Sequence, residues 1–129
     1  MRILGHVQGK ELLILVDSGS SVCFVSTQLA SGLTGLQPLA RQLIVRVANG
    51  SKLKCEAVIP NCEWHVQGHV FHTTLRVLPL PIYDMILGMD WLKEHSPMSI
   101  DWFKKIIALS LQGTQVTIQG CSLNWLSVI

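Results

Sequence analysis

The stretch that decides the fold is Leu13-Ile14-Leu15-Val16-Asp17-Ser18-Gly19-Ser20-Ser21. A continuous apolar run, the pattern of a buried strand, delivers one carboxylate into a loop of small hydroxyl residues and a glycine. A strand holds such an acid on a rigid element, as a reactive group requires. The Ser18 hydroxyl can brace the loop through the backbone, while Gly19 permits an unusual backbone angle and the close approach of another group. Taken alone the tripeptide carries little, because Asp-Ser-Gly is also ordinary turn chemistry. Its meaning depends on its neighbours.

Working outward, short strands dominate. Arg2 to Val7 and Leu12 to Val16 flank Gln8-Gly9-Lys10, a hairpin connection containing glycine. After the Asp17 loop, Ser26 can N-cap a short helix to about Ser31, with Gly32 as its stop. The clearest hairpin follows: Leu43 to Val47, then Asn49-Gly50, then Leu53 to Ile59, with an Asn-Gly pair suited to a type I′ turn. Glu63–Gln67 and His69–Leu78 read as a further pair turning at Gly68. Leu80-Pro81 interrupts the pattern, Tyr83 to Leu87 reads as a buried strand, and a short helix runs from about Asp90 to His95. Ser99–Trp102, Lys105–Leu111 and Gln115–Gln119 complete the series. Many short strands at regular spacing predict a small antiparallel barrel or sandwich. One domain is expected over residues 1–120, with residues 121–129 a C-terminal tail or the start of a linker.

Composition narrows the partners. Of 129 residues 49% are hydrophobic and 14% charged, on the apolar side for a soluble domain, which suggests that a partner subunit covers some surface. The net charge of +2 is spread over scattered Lys and Arg, without the basic stripe that nucleic acid requires, so no nucleic-acid partner is expected. The longest apolar run, Leu12 to Val16, is far short of the ~20 residues of a bilayer span, and the N-terminus lacks a secretory pattern. No membrane partner is expected, and four cysteines without C-x-x-C spacing fit reduced thiols in an intracellular setting. Cys62, His65, His69 and His72 have zinc-ligand chemistry, but extended strands turn His69 and His72 to different faces. No metal or cofactor is expected. Trp64, Trp91, Trp102 and Trp125 are assigned to core or interface packing.

The run into Asp17 resembles the hydrophobic-hydrophobic-Asp-Ser/Thr-Gly signature of the aspartic proteases. Tyr83-Asp-Met-Ile-Leu-Gly88-Met-Asp-Trp-Leu92 resembles their second signature, apolar residues and a glycine leading into a short helix. Between the two, the Asn49-Gly50 hairpin sits where that family carries its flap. Val47-Ala-Asn-Gly50, Trp64-His-Val-Gln-Gly68 with Phe71, and Leu78-Pro-Leu are similar to gypsy-class retrotransposon proteases, especially plant ones, over Arg2 to Gln119. The protease-like domain of ubiquitin-linked shuttle proteins shares this fold, but Val47-Ala-Asn-Gly and Met89-Asp-Trp-Leu favour the retrotransposon branch. The resemblance implies a mainly β chain: a small closed antiparallel β-barrel of the retropepsin (acid protease) type with one or two short helices. It implies a catalytic Asp17, Ser18 and Gly19, and a substrate-binding flap of Val47, Ala48, Asn49, Gly50 and Ser51. Ile86, Leu87 and Gly88 would support the catalytic loop. Ser20, Ser21 and Met89-Asp90 depart from retroviral relatives, which often have Ala, an acid and an Arg at these places, so that ion pair is absent here.

Aspartic proteolysis needs two carboxyl groups around one water, sharing a proton because both cannot ionise cheaply at close range. Only one Asp-Ser-Gly occurs, and Asp84, Asp90 and Asp101 lack the loop that would present them. The second carboxylate is therefore expected from Asp17 of an identical chain on a twofold axis. The implied function is a homodimeric aspartic endopeptidase that cleaves a retrotransposon polyprotein, in the cytoplasm or within virus-like particles. The rival is a catalytically inactive dimerising or peptide-binding domain.

Overall fold

In the computed structural model, residues 1–47 and 50–121 are described. Among these residues ten strands and two short helices follow in order: β1 (Arg2–Val7), β2 (Lys10–Val16), β3 (Phe24–Ser26), α1 (Thr27–Ala30), β4 (Gln37–Arg46), β5 (Lys52–Val66), β6 (His69–Leu78), β7 (Met85–Leu87), α2 (Met89–Glu94), β8 (Met98–Asp101), β9 (Ile106–Leu111) and β10 (Thr114–Gln119). The main sheet runs β1-β2-β7-β3-β6-β5-β4, and His6 pairs with His65 to join β1 to β5, which closes six strands into a barrel. β4 hangs outside the closure on β5, and β8 to β10 form a second, three-stranded sheet.

Closure has a local requirement. A side chain at position 5 would bring its Cβ to 2.8 Å from the His65 carbonyl and 2.9 Å from Ile14 Cδ1, so Gly5 is what lets β1 cross β5. Inward residues alternate along the first hairpin: Ile3 and Val7 on β1, Leu12, Ile14 and Val16 on β2. Three hairpins turn on the same dipeptide. Gln8-Gly9, Gln67-Gly68 and Gln112-Gly113 all have positive φ at both residues, the geometry of two-residue type I′ turns.

The core is centred on Trp64, Phe71 and Trp91, with Trp64 and Phe71 stacked at 4.9 Å between ring centroids and Trp91 tilted 5.6 Å from Phe71. The Trp64 indole N–H donates to Thr73 Oγ1 at 2.9 Å, so burial of that ring leaves no orphan donor. Ile107, Leu109, Val116 and Ile118 carry the small sheet onto the same core.

Several expectations are refined. The closed barrel and two short helices are present, but two of the pairings are parallel rather than antiparallel: β2 with β7 and β3 with β6. The cause is topological. β7 runs alongside β2 in the same direction, and β3, a strand the sequence pattern does not mark, wedges between β7 and β6. The segments expected as separate strands at Leu53–Ile59 and Glu63–Gln67 are one strand, β5, irregular between Ile59 and Cys62, with Asn61 at φ 48°. Pro60 is tolerated there because a bulge does not ask for its missing N–H. β4 starts at Gln37, earlier than Leu43, across an irregularity between Pro38 and Leu43. Ser26 does cap α1, its Oγ accepting from Leu29 N–H at 3.1 Å. Cys121 N–H bonds the Arg2 carbonyl at 2.9 Å, so the expected tail begins with a residue held on β1; residues 122–129, with Trp125, lie outside the described residues.

Candidate active site

The parallel pairing of β2 and β7 places the ends of both strands at one rim of the barrel. Val16 lies opposite Leu87 in register, so the Asp17 loop and Gly88 leave the sheet side by side. The Asp17 N–H extends the ladder by donating to the Leu87 carbonyl at 2.9 Å, which anchors the acid's backbone on a strand. Its carboxylate is held inside its own loop, Oδ1 accepting from Gly19 N–H at 2.8 Å. The Ser20 N–H closes a turn onto the Asp17 carbonyl at 3.2 Å, and the Ser20 hydroxyl donates to the Val22 carbonyl at 2.7 Å. Asp17 is half-buried and Ser18 and Gly19 are exposed.

The two glycines work through room rather than through unusual angles. Gly19 is not in the left-handed region, contrary to one use expected of it; a Cβ there would sit 3.1 Å from Asp17 Oδ1 and crowd the carboxylate. Gly88 has φ −100°, yet a Cβ would fall 2.6 Å from the Ser20 carbonyl and 2.5 Å from that of Val22. The absent side chain is what lets Met89 N–H reach the Ser20 carbonyl at 2.7 Å. Ile86, Leu87 and Gly88 thus sit against the loop: Leu87 through its carbonyl, Gly88 through contact, and Ile86 in the cleft wall. The Ser18 hydroxyl has no partner among the described residues, so the bracing expected of it is instead provided by Ser20.

Cys23 and Asp90 were not singled out as site residues, but they tie the same two segments together. Asp90 Oδ1 accepts from the Cys23 thiol at 2.8 Å and Oδ2 from its backbone N–H at 3.3 Å, while the Gly88 N–H donates to Cys23 Sγ at 3.3 Å. Burial, with the hydrogen bond to Asp90, pushes the Cys23 thiol up to about 12, so it remains a neutral donor. Asp90, near the place where retroviral relatives often have an Arg, is thus paired with a thiol. Asp84 is a second tie: its Oδ2 accepts from Leu13 N–H at 2.7 Å and its carbonyl from Ser26 N–H at 2.9 Å. Neither acid stands in a presenting loop, and short-range pattern gives no sign of such long-range bonds.

A cleft of about 590 Å³ opens in front of Asp17, with Gly19, Phe24, Val47, Leu78 and Ile86 in its wall. Val47 thus joins the Asp17 side of the molecule. The hairpin above it is closed by Val47 N–H to the Ser51 carbonyl at 3.0 Å, with Gly50 at φ 85° donating to the Val47 carbonyl at 2.9 Å. That closing pair is one residue wider than a two-residue turn at Asn49-Gly50; Ala48 and Asn49 themselves lie outside the described residues. The zinc-type residues do not converge. Cys62 is buried, while His65 and His72 lie on the outside beside Glu63, at 3.4 and 3.2 Å. Among the described residues no group of three or more such side chains is arranged to hold a metal ion, and no helix is long and apolar enough to cross a membrane.

A small closed barrel that presents one Asp-Ser-Gly loop against an apolar strand ending in glycine defines a retropepsin-like protease domain. More particularly, the chain belongs to the PEG10/RTL1 protease domain family, whose model matches residues 13–117. Among solved structures it is similar to the retroviral protease-like domain of Ddi1 from Leishmania major. The TM-score is 0.71 at 18% identity, over 96% of this chain and 95% of that one, a likeness of fold. No curated protein matches the chain.

Proposed function

We propose that this domain is an aspartic endopeptidase that works as a homodimer, each copy supplying one Asp17. The observation that carries the reading is a single, strand-anchored Asp17 at the mouth of a cleft in a domain of a protease family. One carboxylate cannot act as both base and acid in the same step, and the second Asp17 of a twofold dimer supplies the other role. An ionised Asp17 takes a proton from the water between the two carboxyls as the water oxygen adds to the scissile carbonyl carbon. The protonated partner donates to the carbonyl oxygen, giving a neutral gem-diol. Collapse of that diol breaks the C–N bond, with a proton passing to the leaving amine. Ser18 and Gly19, exposed beside the acid, are at the surface that the second copy would meet.

Val47, Ala48, Asn49, Gly50 and Ser51 act as a flap, lying over an extended peptide and excluding water. The apolar wall formed by Phe24, Val47, Leu78 and Ile86 suits apolar side chains next to the scissile bond. The substrate is the polyprotein of a gypsy-class, plant-type retrotransposon, processed inside the cell or within virus-like particles, with no cofactor and no nucleic-acid partner.

Mixing is the direct test. Titrating Asp17→Asn chains into wild-type protein should suppress peptide cleavage more steeply than dilution, since each heterodimer carries one working carboxylate. Cleavage that survives in the pure Asp17→Asn protein sinks the mechanism. A stable dimer that binds but never cleaves peptide replaces it with a peptide-binding, catalytically inactive domain.

A further inference from the structure

Next to the Asp17 cleft lies a second pocket of about 430 Å³. The two share Gly19, Ser20, Phe24, Val45 and Arg46, so they are one continuous groove rather than separate sites. Three arginines line the second pocket, arriving from different parts of the chain: Arg41 from the irregular stretch of β4, Arg46 from its end, and Arg76 from β6. No Asp or Glu lines it. Among the described residues none of the three arginines forms an ion pair; the ion pairs present are all between His and Glu. Glu56, on the part of β5 that pairs with β4, accepts instead from Gln42 Nε2 at 2.7 Å. Arg76 is half-buried, and its backbone N–H bonds the Cys23 carbonyl at 3.1 Å, so its position is tied to the segment that follows Asp17.

Arg41 and Arg46 are exposed, and three cations around one concave pocket focus a positive potential there. An extended peptide whose scissile bond sits at Asp17 places alternate side chains on the same face, so one a few residues away enters this pocket. The geometry points to a carboxylate-recognition subsite: Arg41, Arg46 and Arg76 receive the side chain of a Glu or Asp that flanks the apolar residues at the cleavage point. This deepens the endopeptidase reading and rests on it. In a twofold dimer each copy presents the same pocket, so the acidic preference holds on both sides of the scissile bond.

Binding tests the subsite separately from catalysis. Fluorescent peptides with a Leu-Phe centre, carrying Glu or its neutral isostere Gln at one flanking position at a time, are titrated into the Asp17→Asn protein and followed by anisotropy. At one or more flanking positions Glu should bind on the order of tenfold more tightly than Gln, a difference that shrinks at high salt. Arg76→Glu should abolish most of the preference, because one acid among the remaining Arg41 and Arg46 weakens the positive potential without inverting it, whereas Arg76→Lys should keep part of it. Arg46→Glu, at an exposed strand end, serves the same purpose if Arg76→Glu does not fold. Equal binding of Glu and Gln at every position overturns the subsite, as does a Glu preference unchanged by both charge reversals. Displacement of the acidic peptide by a single-stranded oligonucleotide that binds the same arginines more tightly overturns it in favour of nucleic acid. Wild-type protein that cleaves without acidic preference sinks the subsite alone. Protein that binds acidic peptides but cleaves none sinks the endopeptidase reading alone, and failure to bind any peptide sinks both.

Discussion

Gly88→Ala offers the sharpest test of how the acid is held. The added methyl would lie 2.5 Å from the Val22 carbonyl oxygen and 2.6 Å from that of Ser20. Both are backbone atoms, so no side chain can swing away. Restoring even a tight contact requires movement of at least ~0.5 Å, and packed interiors resist such shifts. The Ser20 carbonyl is also the acceptor for Met89 N–H, and Ser20 N–H bonds Asp17, so the displaced segment is the one that carries the acid. Overpacking of this kind costs about 1–3 kcal/mol, or a fall of about 4–11 °C in Tm for a domain of this size. Displacement of a reacting group by a substantial fraction of an ångström lowers kcat/KM by up to ~100-fold. Thermal unfolding and cleavage of a fluorogenic peptide measure the two effects. Gly113→Ala is the control: its φ of 79° strains an alanine by about 1 kcal/mol, but its Cβ meets nothing and it lies in the distant β9–β10 turn. If Gly88→Ala keeps wild-type Tm and kcat/KM, or loses no more than Gly113→Ala, the close-approach account is wrong.

Other perturbations separate the ties of the site from those of the core. Cys23→Ala should destabilise the domain by about 1–3 kcal/mol in urea unfolding, because the Asp90 carboxylate loses its thiol donor, whereas Cys23→Ser should keep most of that bond. Thr73→Val matches the shape but leaves the buried Trp64 N–H without its acceptor; about 1–3 kcal/mol should be lost in denaturant titration. Burial lowers the His95 pKa, so His95 folds as the neutral ring; its share of stability is present above the ordinary value near 6.5 and is lost as pH falls through the lowered folded value. Tm measured across that acidic range should therefore fall less steeply in His95→Gln. The Cys23 thiol has the opposite sign: raised to about 12, it stabilises fully below its ordinary value of 9.0, and that share is lost as pH rises from there towards 12. Cys23→Ser should flatten the alkaline limb of the unfolding profile.

Legibility followed the range of the interactions. The hairpins at Gly9 and Gly68 could be read because a turn needing positive φ is chosen by its own residues. Ser26 could be read as a cap for the same reason, its hydroxyl reaching only to Leu29. β3 could not: three residues carry no period, and Phe24–Ser26 is a strand only because β6 and β7 flank it. Pro60-Asn61 looked like a break in the chain because a break and a bulge use the same residues. The site divides in the same way. That Asp17 stands at the end of an apolar strand in a small-residue loop, followed at a distance by Ile86-Leu87-Gly88, is written in the residues themselves. Tertiary structure decided the rest. It laid β7 parallel to β2 so that Gly88 meets the Asp17 loop, gave Gly19 and Gly88 their roles as missing side chains, and bound Cys23 to Asp90. It also gathered Arg41, Arg46 and Arg76 around one groove. A local pattern records the bonds a segment makes with itself, while close approach and shared pockets exist only once distant segments are packed together.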